Sequence, residues 1–108
     1  MIDLLQQGVT HFNSRRYYEA HESWEDLWRE TEGEARAFYQ GLVQVAVGLH
    51  HLSRGNLGGG ERVLRRGVEK LRVYPDSYRG LDNGFLRNEI ESVLSGDGSR
   101  RIEIRAAS

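Results

Sequence analysis

Cysteine is absent from this 108-residue chain. Without it the protein has no disulfide bond, no thiolate nucleophile and no sulfur ligand for a zinc finger or an iron–sulfur cluster. Any metal site would therefore have to be built from histidine nitrogen and carboxylate oxygen. The four histidines and sixteen acidic residues supply such groups.

The chain also lacks an excess of one charge and a long apolar run. Its formal net charge is -1, which argues against a dedicated nucleic-acid or membrane-surface protein, because those carry a large excess of Lys and Arg. The longest apolar stretch, 38–49, is interrupted by four residues that are amides or glycines. It therefore predicts a buried helix and no bilayer span. The first residues, Met1 onward, do not resemble a secretory signal, so we expect a cytoplasmic location and no membrane partner.

A chain of this length can form one compact core. Apolar residues at helical spacing predict an all-α fold, a single-domain bundle of four to five short helices. The domain covers residues 1–95, and 96–108 form an extended or frayed C-terminal tail that alternates like a strand but has no evident partner. The predicted helices cover residues 2–12, 15–31, 34–53, 57–72 and 85–94. Residues 76–84 are expected to be a loop.

Glycine, asparagine and proline residues indicate where the third helix ends and where the fourth helix begins and ends. Gly55 suits the left-handed position past the third helix, and Asn56 can cap the fourth. Pro75 ends the fourth helix, because it has no N–H and disfavours the helical conformation of the residue before it.

The second helix carries the residues that could perform chemistry. His21 and Glu25 are four apart, so they share one face, and Trp28 continues that face at the next turn. Glu22 lies about 100° away around the helix, at the edge of the face and near Tyr18. His21 and the Glu25 carboxylate are therefore expected to point together toward the interior.

The third helix contains a matching pair of polar residues. Gln40 and Gln44 are also four apart, within an otherwise apolar run. Burying two amides costs several kcal/mol unless they find partners, so we expect them to bond to His21 and Glu25 across the interface. In the first interpretation these four residues form a buried polar cluster that fixes helix register.

A second interpretation is a divalent-metal site. His21, Glu25 and His51 would supply nitrogen and oxygen ligands, and Glu22 would act as a general base. Adjacent histidines diverge by about 100° on a helix, so at most one of His50 and His51 can face the site. His51 aligns with the glutamines, and the other interpretation of both histidines is that they cap the end of the third helix. Neither the H-E-x-x-H pattern nor the Glu-x-x-His pair of di-iron bundles is present.

The fourth helix opens with glycines and continues with arginines. Gly58, Gly59 and Gly60 are best explained by a tight helix crossing or a mobile first turn, because the P-loop lysine is missing. A third interpretation is phosphate or nucleic-acid binding through Arg62, Arg65 and Arg66. Against nucleic-acid binding, no aromatic residues lie between these arginines to stack on bases. The basic fourth helix and the acidic second helix also suit head-to-tail or two-fold self-association.

Several segments, taken in order, resemble a known family. They are Phe12-Asn13, Tyr18-Glu-Ala-His-Glu22 with Glu25 and Trp28, Gln40-Gly-Leu-Val-Gln44, and Gly55-Asn56. In this order and spacing they resemble the small prokaryotic domain of unknown function family 309, over residues 5–75. The resemblance implies a compact all-helical domain with no established activity. In it, the second helix, which carries Tyr18 to Trp28, packs on the third helix, which carries Gln40 to Gln44. Family members usually have an aliphatic residue at Trp24 and alanine at Gly60. The first departure enlarges the core contact and the second weakens the start of the fourth helix.

We therefore predict a non-enzymatic binding or interaction module that associates with itself. The alternative, from another class, is a metal-dependent hydrolase with the ligands and base named above. The sequence identifies no ligand or substrate for either.

Overall fold

The computed structural model describes residues 2–96 and 102–108, which form five helices and one short hairpin. The helices are α1 Leu4–Asn13, α2 Tyr17–Glu30, α3 Ala35–Ser53, α4 Leu57–Leu71 and α5 Asn83–Leu94. The hairpin consists of β1 Ser77–Tyr78 and β2 Leu81–Asp82. The predicted all-α class and the five helical segments are confirmed. Met1 and the part of the predicted tail at 97–101 lie outside the described residues.

Helix α3 lies at the centre of the fold. It packs against α2 on one side and α4 on the other, and α1 packs against α2. Phe38, Leu42 and Val45 of α3 are fully buried, as expected for the one helix that is apolar almost all round. Its partners contribute Trp24 from α2 and Leu64 from α4, both also fully buried.

Glycines allow α3 and α4 to cross at close range. A Cβ on Gly48 would lie 2.9 Å from the Leu64 backbone nitrogen and 3.0 Å from the Gly60 carbonyl oxygen. A Cβ on Gly67 would lie 3.0 Å from the Gly41 carbonyl oxygen. The tight crossing predicted from the glycine run is confirmed at Gly60, where a Cβ would lie 2.9 Å from the Gly48 carbonyl oxygen. Backbone therefore packs directly on backbone along this interface.

Side-chain caps begin three of the helices. The Asn56 side-chain oxygen accepts from the Gly59 amide at 3.2 Å, which confirms the predicted cap of α4. Asp3 caps α1 and Asp82 caps α5 in the same way. The buried amide of Asn83 then donates to the carbonyls at the end of α4, including that of Leu71 at 3.0 Å.

The segment expected to be a loop contains the hairpin. Tyr78 pairs with Leu81 across a two-residue turn, in which Arg79 has φ 51° and Gly80 has φ 79°. Positive φ at both positions is what a type I′ turn requires. Strands of two residues are too short to produce a detectable hydrophobic alternation, which is why periodicity does not predict them.

The C-terminal segment has partners that periodicity did not identify. Ile102 and Ile104 are each 3% exposed and belong to the core. The Asn13 amide nitrogen donates to the Ile104 carbonyl at 2.9 Å, and the Ile104 backbone N–H donates to the Asn13 side-chain oxygen at 2.9 Å. Beyond this pair, the Asp82 amide donates to the Arg105 carbonyl at 2.8 Å. Residues 102–107 are therefore fastened both to the end of α1 and to β2.

Candidate functional site between α2 and α3

His21 is held by two contacts within its own helix. Its Nδ1 lies 3.2 Å from the Tyr18 carbonyl oxygen, and its Nε2 lies 3.4 Å from Glu25 Oε2. Both contacts are with acceptor oxygens, so Nδ1 faces the Tyr18 carbonyl and Nε2 faces the Glu25 carboxylate. The His21 side chain is 20% exposed, at the boundary between core and solvent.

Glu25 belongs to an ion-pair chain on the surface of α2. Its Oε1 accepts from Arg29 Nη2 at 2.5 Å, and Arg29 also contacts Asp26 at 3.3 Å. The Glu25 side chain is 32% exposed, so the carboxylate lies nearer to solvent than the sequence pattern predicts. It is satisfied from its own helix at i+4 spacing.

The expected cluster of four polar residues does not form. Within residues 2–96 and 102–108, no hydrogen bond joins Gln40 or Gln44 to His21 or Glu25, and the Gln44 side-chain oxygen is buried without a partner. The physical reason is local competition on α2. The Tyr18 carbonyl contacts His21 and Arg29 binds Glu25, so neither side chain needs a partner from α3. The two-helix network is corrected to a chain of contacts along α2.

Trp28 joins α2 to the first turn of α3. The guanidinium of Arg36 lies 4.1 Å from the Trp28 ring centroid, within the range of a cation–π contact. The indole nitrogen of Trp28 is buried and has no hydrogen-bond partner in the described part of the chain. Trp28 therefore packs between the helices and does not extend the His21 contacts.

An open cleft of about 300 Å³ lies between α2 and the C-terminal half of α3, and it is lined by Tyr18, His21, Val47, His50 and His51. The Tyr18 ring centroid is 5.3 Å from that of His21 and 5.5 Å from that of His50, and the two adjacent imidazoles are 6.2 Å apart. Tyr18 is 51% exposed. Four aromatic rings from two helices thus surround one concave surface.

Both terminal histidines of α3 border this cleft, so the expectation that at most one could face the site is wrong. His50 and His51 lie three and four residues after Val47. Residues at i+3 and i+4 are both neighbours of residue i on a helix surface, and this spacing is the signal that identifies His50.

The predicted metal ligands are not gathered together. Among the residues that the structure describes, no three His, Asp or Glu side chains are placed to hold one metal ion. His21 and His51 share the cleft, while Glu25 is directed along α2 toward Arg29. Glu22 is exposed and does not line the cleft.

Comparison with known proteins identifies the family of this chain. The family described as Domain of unknown function (DUF309) matches residues 5–63, more than half of the chain. The chain belongs to this family. The match contains all of α2 and α3, so every residue that lines the cleft lies within the DUF309 region. The resemblance predicted from the sequence motifs is confirmed.

Two similar proteins are longer than this DUF309 chain. An uncharacterised protein of Aquifex aeolicus (strain VF5) is 31% identical over 93 residues, which is 85% of this chain and 28% of that protein. The uncharacterised protein YpuF of Bacillus subtilis (strain 168) is 32% identical over 83 residues, which is 74% of this chain and 48% of YpuF. The chain thus spans less than half the length of either relative.

The remaining surfaces of the DUF309 chain differ in charge. Arg62, Arg65 and Arg66 are exposed on α4, and none of them has an ion-pair partner in residues 2–96 or 102–108. Asn56 already occupies the Gly59 amide at the start of this helix.

Over the described ranges, each helix is too short or too polar to cross a bilayer.

Proposed function

We propose that this DUF309 domain is a binding module without catalytic activity, and that the cleft between α2 and α3 is its binding site. The observation that carries the proposal is the half-exposed ring of Tyr18, which stands beside three imidazoles around one concave surface. Aromatic side chains with one apolar face and one polar atom are favoured at binding surfaces. The length of the relatives supports a module, since this domain matches only part of each.

The lining favours a flat apolar group as the occupant. Its volume of about 300 Å³ is at the lower end of ligand sites, which suits one ring system. Val47 supplies an aliphatic wall, and the Tyr18 and His50 rings supply faces for stacking. His50 and His51 add nitrogen atoms that can donate or accept a hydrogen bond at the rim.

Titration with indole tests this proposal, because indole is a flat apolar ring with a single N–H donor. We expect the imidazole Cε1–H NMR resonances of His21, His50 and His51 to shift with indole concentration. The shifts should disappear in Tyr18→Ala and persist in Val73→Ala, which removes another exposed apolar side chain, 78% exposed and outside the cleft. Resonances that do not move, or that move equally in Tyr18→Ala, would contradict the proposal.

One observation favours the alternative function, a divalent-metal-dependent hydrolase. His21 Nδ1 lies 3.2 Å from a backbone carbonyl oxygen, the arrangement in which metal-binding histidines are commonly oriented for ligation through Nε2. In that function His21, Glu25 and His51 would hold the metal and Glu22 would act as general base. Glu25 would first have to leave Arg29, so the binding module is the better supported of the two.

Self-association and a cytoplasmic location remain predictions within this proposal. The absence of cysteine supports the second, since the chain has no disulfide that would need an oxidising compartment. The charged faces of α2 and α4 support the first.

A further inference from the structure

The segment 102–107 lies beside β2 and alternates in exposure along its length. Ile102 and Ile104 are each 3% exposed, while Glu103 and Arg105 face solvent. A period of two is that of an extended chain with one face on a core. Two isoleucine side chains and a set of backbone hydrogen bonds therefore attach this segment to the rest of the fold.

Asn13 binds the backbone of the segment at a single residue. Its side-chain nitrogen donates to the Ile104 carbonyl and its side-chain oxygen accepts from the Ile104 N–H, both at 2.9 Å. A carboxamide presents a donor and an acceptor together, as the backbone of a neighbouring strand does. The contact is therefore available to any extended peptide that has a backbone N–H at this position.

The hairpin supplies further backbone bonds to the segment. The Asp82 N–H donates to the Arg105 carbonyl at 2.8 Å, and the Ala107 N–H donates to the Gly80 carbonyl at 2.9 Å. The pairing between β2 and the segment is antiparallel. Because β2 pairs with β1 on its other side, the segment covers an edge whose backbone groups would otherwise be open to another strand.

Side chains decide which peptide fits this surface. Ile102 and Ile104 both belong to the hydrophobic core. The guanidinium of Arg105 lies 3.7 Å from the Phe85 ring centroid, within the range of a cation–π contact. Addition of a strand to a sheet edge, with main-chain hydrogen bonds and pockets for alternate side chains, is a recurring mode of peptide recognition. The surface thus fits an extended peptide with isoleucine at alternate positions followed by arginine.

We infer that the surface formed by Asn13, β2 and Phe85 is a peptide-binding site, and that its partner is an extended segment of another protein with apolar residues at alternate positions followed by arginine. The chain's own segment 102–107 is the intramolecular occupant, which such a partner displaces. A segment that buries few apolar side chains opens at a lower free energy than core helices do. Neither Asn13 nor Phe85 lines the cleft between α2 and α3, so this site is additional to the proposed binding site.

Fluorescence anisotropy with a labelled peptide of the sequence of residues 102–108 tests the inference on the 108-residue chain. In the double variant Ile102→Asp and Ile104→Asp, burying the two carboxylates is unfavourable, so the attached segment should undock and expose the site. The peptide should bind this variant at least about tenfold more tightly than it binds the unaltered chain, where the attached segment competes intramolecularly. Equal binding to the two chains, or binding to neither, would overturn the inference.

Substitutions at the end of α1 show whether the peptide binds where the segment does. Asn13→Ala, added to the double variant, removes two hydrogen bonds and should weaken peptide binding about tenfold. Ser14→Ala in the same background is the matched control, because its hydroxyl bonds within α1, and it should leave the affinity unchanged. Equal affinities in these two chains would contradict the assigned site.

The unaltered chain supplies a test that does not depend on a destabilised variant. With isoleucine methyl groups labelled in the chain but not in the peptide, a millimolar excess of peptide should move the Ile104 methyl signals toward those of an exposed isoleucine. Signals that stay at their buried positions would overturn the inference. Sedimentation velocity identifies the occupant: a dimer of the unaltered chain that the double variant lacks would assign the segment to a second copy and contradict a partner peptide.

Discussion

The indole of Trp24 occupies the space that a β-carbon on Gly8 would need. A Cβ built at Gly8 would lie 2.1 Å from Trp24 Nε1, and that nitrogen donates to the Leu5 carbonyl at 3.1 Å. Trp24 is completely buried, and its ring also lies 5.7 Å from that of Phe12. The large residue on α2 therefore fits because α1 has no side chain at position 8.

This relationship predicts that Gly8→Ala is destabilising although alanine is the better helix former. The added methyl group must displace the indole, and such overpacking costs about 1–3 kcal/mol or more. Gly58→Ala is the matched control, because a Cβ at that helical position meets nothing within 4 Å. It should raise stability by up to about 1 kcal/mol. Urea unfolding that gave Gly8→Ala the stability of Gly58→Ala would contradict the packing described here.

A second prediction concerns the crossing of α3 and α4. Gly48→Ala should destabilise the fold by about 1–3 kcal/mol, because every near neighbour of its Cβ is backbone of α4. Gly60→Ala should cost less, since two of its three near atoms belong to the flexible side chain of Leu52. Thermal unfolding of the two variants checks the order. A Gly60→Ala variant less stable than Gly48→Ala would contradict it.

A third prediction is a loss of stability at high pH. Burial raises the pKa of the Tyr39 phenol above its ordinary value of 10.0. A group with a raised folded pKa contributes stability that is complete below the unfolded pKa and is lost as pH rises through the folded pKa. The urea midpoint should therefore fall as the pH rises above about 10. Tyr39→Phe should flatten that fall, because it removes the buried phenol.

A fourth prediction separates the binding module from the hydrolase. Protein purified without chelator and then titrated with Zn²⁺ should bind less than one equivalent tightly, because the described residues gather no set of three ligands. Calorimetry measures the stoichiometry. Stoichiometric, tight binding that is abolished in His21→Ala would favour the metal site, with Glu22→Gln then testing the proposed base.

A fifth prediction concerns the C-terminal segment. Asn13→Ala removes both hydrogen bonds to Ile104 and leaves a part-buried N–H and C=O unpaired, at a cost of about 1–3 kcal/mol. Amide exchange at Ile104 should accelerate far more than exchange in α3. Ser14→Ala, which removes an exposed hydroxyl bonded within α1, is the neighbouring control and should leave Ile104 exchange unchanged.

The helices were predictable because their apolar spacing and caps are local signals. Asn56 caps α4 as its position beside Gly55 indicates, and α3 is central because it is apolar on nearly every face. The hairpin was not predictable because its strands of two residues are too short to show an alternation of apolar and polar side chains. The docking of 102–107 was not predictable because its hydrogen bonds join residues far apart in the chain. From the sequence alone, Asn13 indicates only a turn. Its hydrogen bonds to Ile104 become evident only in the folded structure.

The candidate site was only partly predictable for a related reason. The sequence correctly puts His21 and Glu25 on one face of α2, and they contact each other. Arg29, four residues after Glu25, competes for the carboxylate, and this i+4 spacing was a local signal that the prediction did not use. The sequence does not show how far the last turn of α3 extends along α2, which is what brings His50 to Tyr18.

The bond between Asn13 and Ile104 also bears on the order of folding. The two residues are 91 positions apart, whereas the crossing of α3 and α4 joins residues of consecutive helices. Closing the longer loop costs more chain entropy, so we expect the helical hairpin to form first and the C-terminal segment to join last. During synthesis, the hydrogen bonds between Asn13 and Ile104 can form only after residue 104 has emerged from the ribosome.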